Sequence, residues 1–355
     1  MPEKFSVMII QPNIFVYGGA ERQIVELANY LTWNNHRVLI ASTGFTEDFK
    51  RNLKEARILK CNNLEDLWKT CLSYQEKFSI INPHNHPAEL MVDGKTSKTI
   101  WQMNEPPTQV LCGKPISKEE VKYVKENIHK AVVISDFEKK RFKKLYGFEP
   151  EVNYPAVRYE YFATTPNEIQ KFDGFPILLQ TGYFTFTKNQ KFTVEIFSKV
   201  LEEYPNAKLI LAGFDKDPYA DEVKSKIKEL NLESKIILLP YVSSDEEFKK
   251  LYYSADLFVN PILEQGGWAT TFEAISAGIP TIVSKNFVGS NIVEKHNLGI
   301  VSDLDNFYKS VMSAISDLKN LKERTLANRV WLKDNLTWNK FGERYEKLME
   351  DVLNV

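Results

Sequence analysis

The stretch that decides the fold runs Val259-Asn260-Pro261-Ile262-Leu263-Glu264-Gln265-Gly266-Gly267-Trp268-Ala269-Thr270-Thr271-Phe272-Glu273-Ala274-Ile275-Ser276-Ala277-Gly278-Ile279-Pro280. It reads as the end of a buried strand (Leu257 to Pro261), a polar Gly-Gly loop, and a helix that Thr270 or Thr271 can cap and that Gly278 and Pro280 close. Amides at the start of such a helix have no intrahelical partner and the helix dipole adds positive charge, so the loop suits a phosphate or diphosphate. Glycines let the backbone approach it closely. Glu273, which this reading puts in the first turn, suits two roles: accepting hydrogen bonds from sugar hydroxyls beside the diphosphate, or complementing the dipole. Spacing alone leaves both open.

Outward from this unit, short apolar strands alternate with amphipathic helices along the whole chain, the pattern of parallel βαβ units. Strands are expected near 5–10, 37–42, 56–61, 78–83, 98–103, 131–135 and 150–154, then near 176–182, 207–213, 235–240, 257–261 and 280–284. Pro155 to Pro176 lacks periodicity and is expected to link the two series. The fold class is therefore α/β, with two Rossmann-like doubly wound domains over 1–160 and 176–335 and a final amphipathic helix over 336–355. Two such sheets put a ligand cleft where the strand carboxyl ends of the domains face each other.

Composition narrows the function classes. The 355 residues are 43% apolar, enough for two cores, and the net charge of −1 gives no global pull toward nucleic acid. Cys61, Cys71 and Cys112 form no CxxC pair, which suits a reducing compartment. No secretory leader and no apolar run of about 20 residues is seen, so a cytoplasmic protein is expected.

Further motifs sit at the expected strand ends. Gly18-Gly19, before the first helix, reads either as a phosphate-approaching turn or as a tight βα turn. Asn82-Pro83-His84-Asn85-His86-Pro87 offers two imidazoles at i and i+2. With no third ligand at motif spacing a metal pair is set aside, and a neutral imidazole on a sugar hydroxyl or backbone carbonyl is preferred, His86 first and His84 second. Trp101-Gln102-Met103-Asn104 suits a sugar subsite or the core equally. The basic run Phe137 to Tyr146 suits a solvated face or peripheral contact with an anionic membrane. Asp215-Lys216-Asp217 leads into Pro218 and reads as a polar turn rather than a metal motif.

The 259–280 stretch resembles the signature of the retaining GT-B glycosyltransferases of the large group 1 family, roughly P-S-x-x-E-G-F-G-x-x-x-x-E-A-x-A-x-G-x-P. Pro261, Glu273, Ala274, Ala277, Gly278 and Pro280 match. Two departures stand out. Glu264 and Glu273 bracket eight residues where the family brackets seven, so Gln265 holds the strict register, and Tyr183 follows Gly182 where the family has arginine. The resemblance implies transfer of a sugar from a nucleotide-diphosphate sugar to a glycan, lipid-linked or other hydroxyl acceptor with retention, and needs no metal or other cofactor. It implies catalytic roles for His86, Lys188 and Glu264. It implies donor contacts from Gly18, Gly19, Gly182, Tyr183, Tyr241, Gln265, Gly266, Gly267, Trp268, Ala269, Thr270 and Glu273, the last on the ribose. The departures at Tyr183 and Gln265 motivate an alternative: a catalytically inactive GT-B-like partner that binds a sugar nucleotide or glycan. An unrelated Rossmann-type oxidoreductase is disfavoured because no GxGxxG fingerprint is present.

Overall fold

In the computed structural model, residues 4–214, 218–240, 242, 244–264 and 266–354 are described. The chain divides into two compact units, one of Met1–Ala156 with Trp338–Val355 and the other of Val157–Thr337.

The first unit is built on seven parallel strands: β1 (Ser6–Ile10), β2 (Arg37–Ser42), β3 (Arg57–Lys60), β4 (Ile80–Pro83), β5 (Lys98–Met103), β6 (Lys130–Val133) and β7 (Glu151–Val152), in the order β3-β2-β1-β4-β5-β6-β7. The second has six: β8 (Ile177–Thr181), β9 (Lys208–Phe214), β10 (Ile236–Pro240), β11 (Leu257–Asn260), β12 (Thr281–Ser284) and β13 (Ile300–Ser302), in the order β10-β9-β8-β11-β12-β13. Central strands such as β1, β8, β11 and β12 are buried at every residue, because helices cover both faces of a parallel sheet and leave no wet side. Edge strand β3 is largely exposed and carries Arg57 and Lys60, charges that discourage further pairing. The sequence reading missed β13, whose short run Ile300-Val301-Ser302 carries little pattern of its own and is fixed by pairing with β12.

Helix ends follow local chemistry. Thr46, Asn63, Ser117, Ser135 and Ser244 each accept a bond from a backbone N–H of the helix they open, and Gly147 in the left-handed region closes Asp136–Tyr146. The helix Trp338–Leu353 buries Phe341, Tyr345, Met349 and Val352 in the core of the first unit. Gly342 lets it press onto the ring of Tyr30, where any Cβ would collide. Around that contact Glu346 accepts from the Tyr30 hydroxyl at 2.8 Å, meets His36 Nε2 at 2.9 Å and pairs with Lys4 at 3.0 Å.

The stretch expected to link the domains belongs to the second unit from Val157 onward. Tyr159–Ala163 is a short helix whose Phe162 is 1% exposed in the core, a burial that contributes roughly 1.5–3 kcal/mol. Irregular polar and aromatic composition hid it, because one helical turn is too short to show a period.

Candidate functional site

In both sheets the strand order reverses beside the first strand of the unit: between β1 and β4, and between β8 and β11. Loops leaving the carboxyl ends of those strands diverge, and the crevice between them is where open α/β sheets take ligands.

In the second unit the two loops are stitched together. Leu263 N–H donates to Thr187 O at 2.9 Å, and Asn189 Nδ2 donates to Pro261 O at 3.0 Å. Asn189 holds φ +61, a left-handed conformation that asparagine tolerates better than most residues. Gln180, at the end of β8, donates to Lys188 O at 2.7 Å and accepts from Thr193 Oγ1 at 2.7 Å. Ser284 of β12 donates to Ile262 O at 2.6 Å.

This stitching brings Lys188 against the glycine loop. A Cβ at Gly266 or Gly267 would lie 3.4 or 3.3 Å from the Lys188 ammonium, and one at Gly182 would lie 3.7 Å from its Cε. Burial pulls the ammonium down from the usual 10.5 to about 8, with no carboxylate among the described residues offsetting it. The site therefore holds a half-buried cation beside bare backbone.

Gly267, at φ +72, opens the helix Trp268–Ser276 without a side-chain cap. The expected cap is thus corrected. Thr270 lies inside the helix, and the Thr271 hydroxyl accepts from Asn260 Nδ2 at 2.8 Å in the core. Only a residue without Cβ fits here, since one would come within 2.5 Å of Ile262 Cδ1 and 2.7 Å of Asn260 Nδ2. The earlier start moves Glu273 to the second turn, corrected from the first.

Glu273 is 9% exposed and accepts from the Tyr252 hydroxyl at 3.1 Å. Burial first, then the Glu273 charge, drive the Tyr252 hydroxyl well above its usual range, so it stays a donor. Arg158 pairs with Asp245 through both nitrogens, at 2.5 and 2.7 Å, and feels Glu273 as well. Burial would lower Arg158, but these charges hold it above its ordinary value. Neither Arg158 nor Tyr252 was legible as a site residue: they come from the supposed linker and from a helix 94 positions further on (252 − 158).

In the first unit, Gly18 precedes the helix Gly19–Trp33, its N–H donating to Glu21 at 3.0 Å, and a Cβ at Gly19 would meet open space. His84 is 1% exposed and its Nε2 meets Asn82 Oδ1 at 2.9 Å; burial pushes it down to about 3, so it is neutral. His86 is the accessible one of the pair, with Nδ1 2.7 Å from Glu89 Oε1. The hydrogen bond to Glu89 raises the imidazole, burial opposing it. Trp101 is fully buried against Phe142 and Tyr146, so of its two readings the core prevails.

Elsewhere, Glu264 is exposed, Ala269 is exposed at the helix start, and Trp268 packs its ring on Phe272 at 4.6 Å. Tyr183 is 56% exposed, with its carbonyl accepting from Gln190 at 3.0 Å. Tyr241, Gln265 and the Asp215–Asp217 triplet lie outside the described residues.

Comparison with known proteins now bears on this geometry. Residues 162–330 match the model of the glycosyl transferases group 1 family. Over 246 residues the chain is 21% identical to the alpha-monoglucosyldiacylglycerol synthase of Streptococcus pneumoniae, covering 69% of this chain and 52% of that protein. The chain thus spans about half the length of that curated relative. Among solved structures, a glycosyltransferase from Rickettsia africae superposes with a TM-score of 0.81 at 18% identity, covering 99% of each chain. HepE of Anabaena, solved in complex with UDP and glucose, superposes with a TM-score of 0.79 at 13% identity, covering 98% of this chain and 100% of its own. At these identities the structures show the fold, which is GT-B with two Rossmann-like domains.

Proposed function

We propose that this chain, a GT-B protein whose second unit carries a group 1 glycosyl transferase domain, is a nucleotide-sugar-dependent glycosyltransferase that acts with retention at the anomeric carbon. The observation that carries the reading is the Lys188 ammonium beside Gly266 and Gly267 at the point where the second sheet reverses. A diphosphate seated there receives backbone N–H groups from the uncapped helix start and one cation, so no divalent metal is needed to offset its charge. As the bond between the anomeric carbon and the diphosphate breaks, negative charge grows on the departing oxygen. A fixed ammonium stabilises that charge more than the ground state, which is what accelerates the step.

Glu273, held by Tyr252 on one carboxylate oxygen, is assigned to the ribose hydroxyls, and His86 to a sugar hydroxyl. Glu264 is assigned to the donor sugar, and Gly18-Gly19 to the donor diphosphate and acceptor. The acceptor is a glycan, a lipid-linked sugar or another hydroxyl compound. HepE, crystallised with UDP and glucose, supports UDP-glucose as the first donor to try.

Calorimetry with UDP, GDP and ADP, followed by incubation with the matching sugar nucleotides, tests the proposal. One nucleotide should bind, and its sugar conjugate should release diphosphate. Glu273→Ala should abolish nucleotide binding; affinity equal to wild type would remove Glu273 from the donor site.

A further inference from the structure

Remote from the diphosphate loop in sequence, the first unit gathers three metal-type donors from three elements. His86 lies in the loop after β4, Glu89 in the 3-10 turn Ala88–Met91 and Glu120 in the helix Lys118–Asn127. One nitrogen and two carboxylate oxygens come within 4.8 Å of one another. His86 Nδ1 is 2.7 Å from Glu89 Oε1 and 3.9 Å from Glu120 Oε1. A tetrahedral zinc ion with bonds of about 2.0–2.2 Å spaces its ligand atoms at roughly 3.3–3.5 Å. Both separations reach that value by moving about half an ångström, within the freedom of side-chain torsions.

A second observation points to a ligand. Tyr146 is 0% exposed, and its hydroxyl has no hydrogen-bond partner among the described residues. Burial first, then the charges of Glu89 and Glu120, raise that hydroxyl above its usual range. Glu89 Oε2 and Glu120 Oε1 are likewise buried with no hydrogen-bond partner there, although Glu89 is itself 0% exposed. Buried polar atoms without partners cost about 1–3 kcal/mol each, so Glu89 Oε2 and Glu120 Oε1, on two carboxylates of one cluster, favour a partner there. On its far side Glu120 Oε2 accepts from Gln109 Nε2 at 3.1 Å, the outer contact that orients a ligating carboxylate. Two carboxylates this close, one out of water, repel unless a cation lies between them or one takes up a proton, and burial raises Glu89 in that direction.

We propose that His86, Glu89 and Glu120 bind one divalent transition-metal ion of the zinc type, with the Tyr146 hydroxyl bonded to a carboxylate or a metal-bound water. A nitrogen donor beside two carboxylates favours zinc over magnesium, which prefers oxygen ligands and keeps its waters. His86 ligates through Nδ1, leaving Nε2 free, and the ion takes no part in diphosphate chemistry. The site stands whether or not the chain transfers sugars.

The test is calorimetric titration of the chelator-treated full chain with zinc chloride and, separately, magnesium chloride. One zinc ion per chain should bind, and magnesium should give no heat. Glu120→Gln keeps the partner of Gln109 and lies at the rim, so it should fold; it should weaken zinc by about 100-fold or more. His86→Ala should do the same. Cys112→Ser, which removes the exposed thiol, should leave zinc binding intact. Absence of zinc binding in wild type, zinc affinity unchanged in a folded Glu120→Gln, or loss of binding in Cys112→Ser would each overturn the site.

Discussion

The two reversal points of this molecule share one topology and carry opposite chemistry. Beside β8 and β11 the loops present glycine backbone, an uncapped helix start and a half-buried lysine. In the first unit, elements that follow β4 and β5 bring together one buried carboxylate, one half-buried carboxylate and an imidazole. Strand order fixes where a ligand sits, but not its sign. The sign comes from a few side chains placed by loop hydrogen bonds, and the two proposals assign an anion to the second unit and a cation to the first.

The largest expected effect comes from filling the glycine loop. Gly267→Val forces Cβ into Ile262 and Asn260 at a positive φ, and should abolish nucleotide binding while lowering stability by about 1–3 kcal/mol. Wild-type affinity in that variant, read by calorimetry, would break the contrast at its root. Lys188→Ala comes next and should weaken nucleotide diphosphates by about 10–150-fold, the worth of a charged hydrogen bond.

The same lysine sets a pH dependence. Below about 8 the folded protein carries the charged ammonium and bears its burial penalty. Between about 8 and the usual 10.5 the unfolded chain holds the proton that the folded one has lost, so stability rises with pH while diphosphate affinity falls. Wild-type affinity should therefore drop as pH rises through about 8, and Lys188→Ala should be flat across that window. Parallel curves for the two proteins would remove Lys188 as the cation.

Smaller changes sharpen the contrast. Tyr183→Arg adds a guanidinium at an exposed position and should strengthen diphosphate binding by no more than about fivefold. Weaker binding would show that the tyrosine itself contributes. Asn189→Gly keeps the left-handed backbone but loses the bond to Pro261, and should cost about 1 kcal/mol in chemical denaturation. A cost near zero would mean that the Leu263–Thr187 bond alone holds the loops.

Much of the fold was legible because parallel strands are continuous apolar runs, as in Ser6–Ile10 and Ile177–Thr181. The strand–loop–helix unit around Gly266 and Gly267 was legible for the same reason. The helix start was misjudged because Thr270 and Thr271 fit a capping rule, whereas a left-handed glycine needs no cap to begin a helix. The linker was misjudged because Phe162 earns its place through tertiary packing rather than periodicity. The metal reading was set aside because no third ligand stands at motif spacing from the two imidazoles. Folding turns His84 inward to Asn82 and supplies Glu120 from 34 positions beyond His86 (120 − 86), a distance at which spacing says nothing.

The helix Trp338–Leu353 carries a consequence for the order of events during synthesis. Tyr345 hydrogen-bonds Asn82 across 263 positions of sequence, and Glu346 reaches Tyr30 across 316. A ribosome therefore releases the first sheet, and then the whole second unit, before the segment that seals the first can dock. Until residue 353 emerges, the rings and aliphatic groups awaiting Phe341, Met349 and Val352 stay open to solvent and to chaperones, so the half of the protein made first is the half finished last.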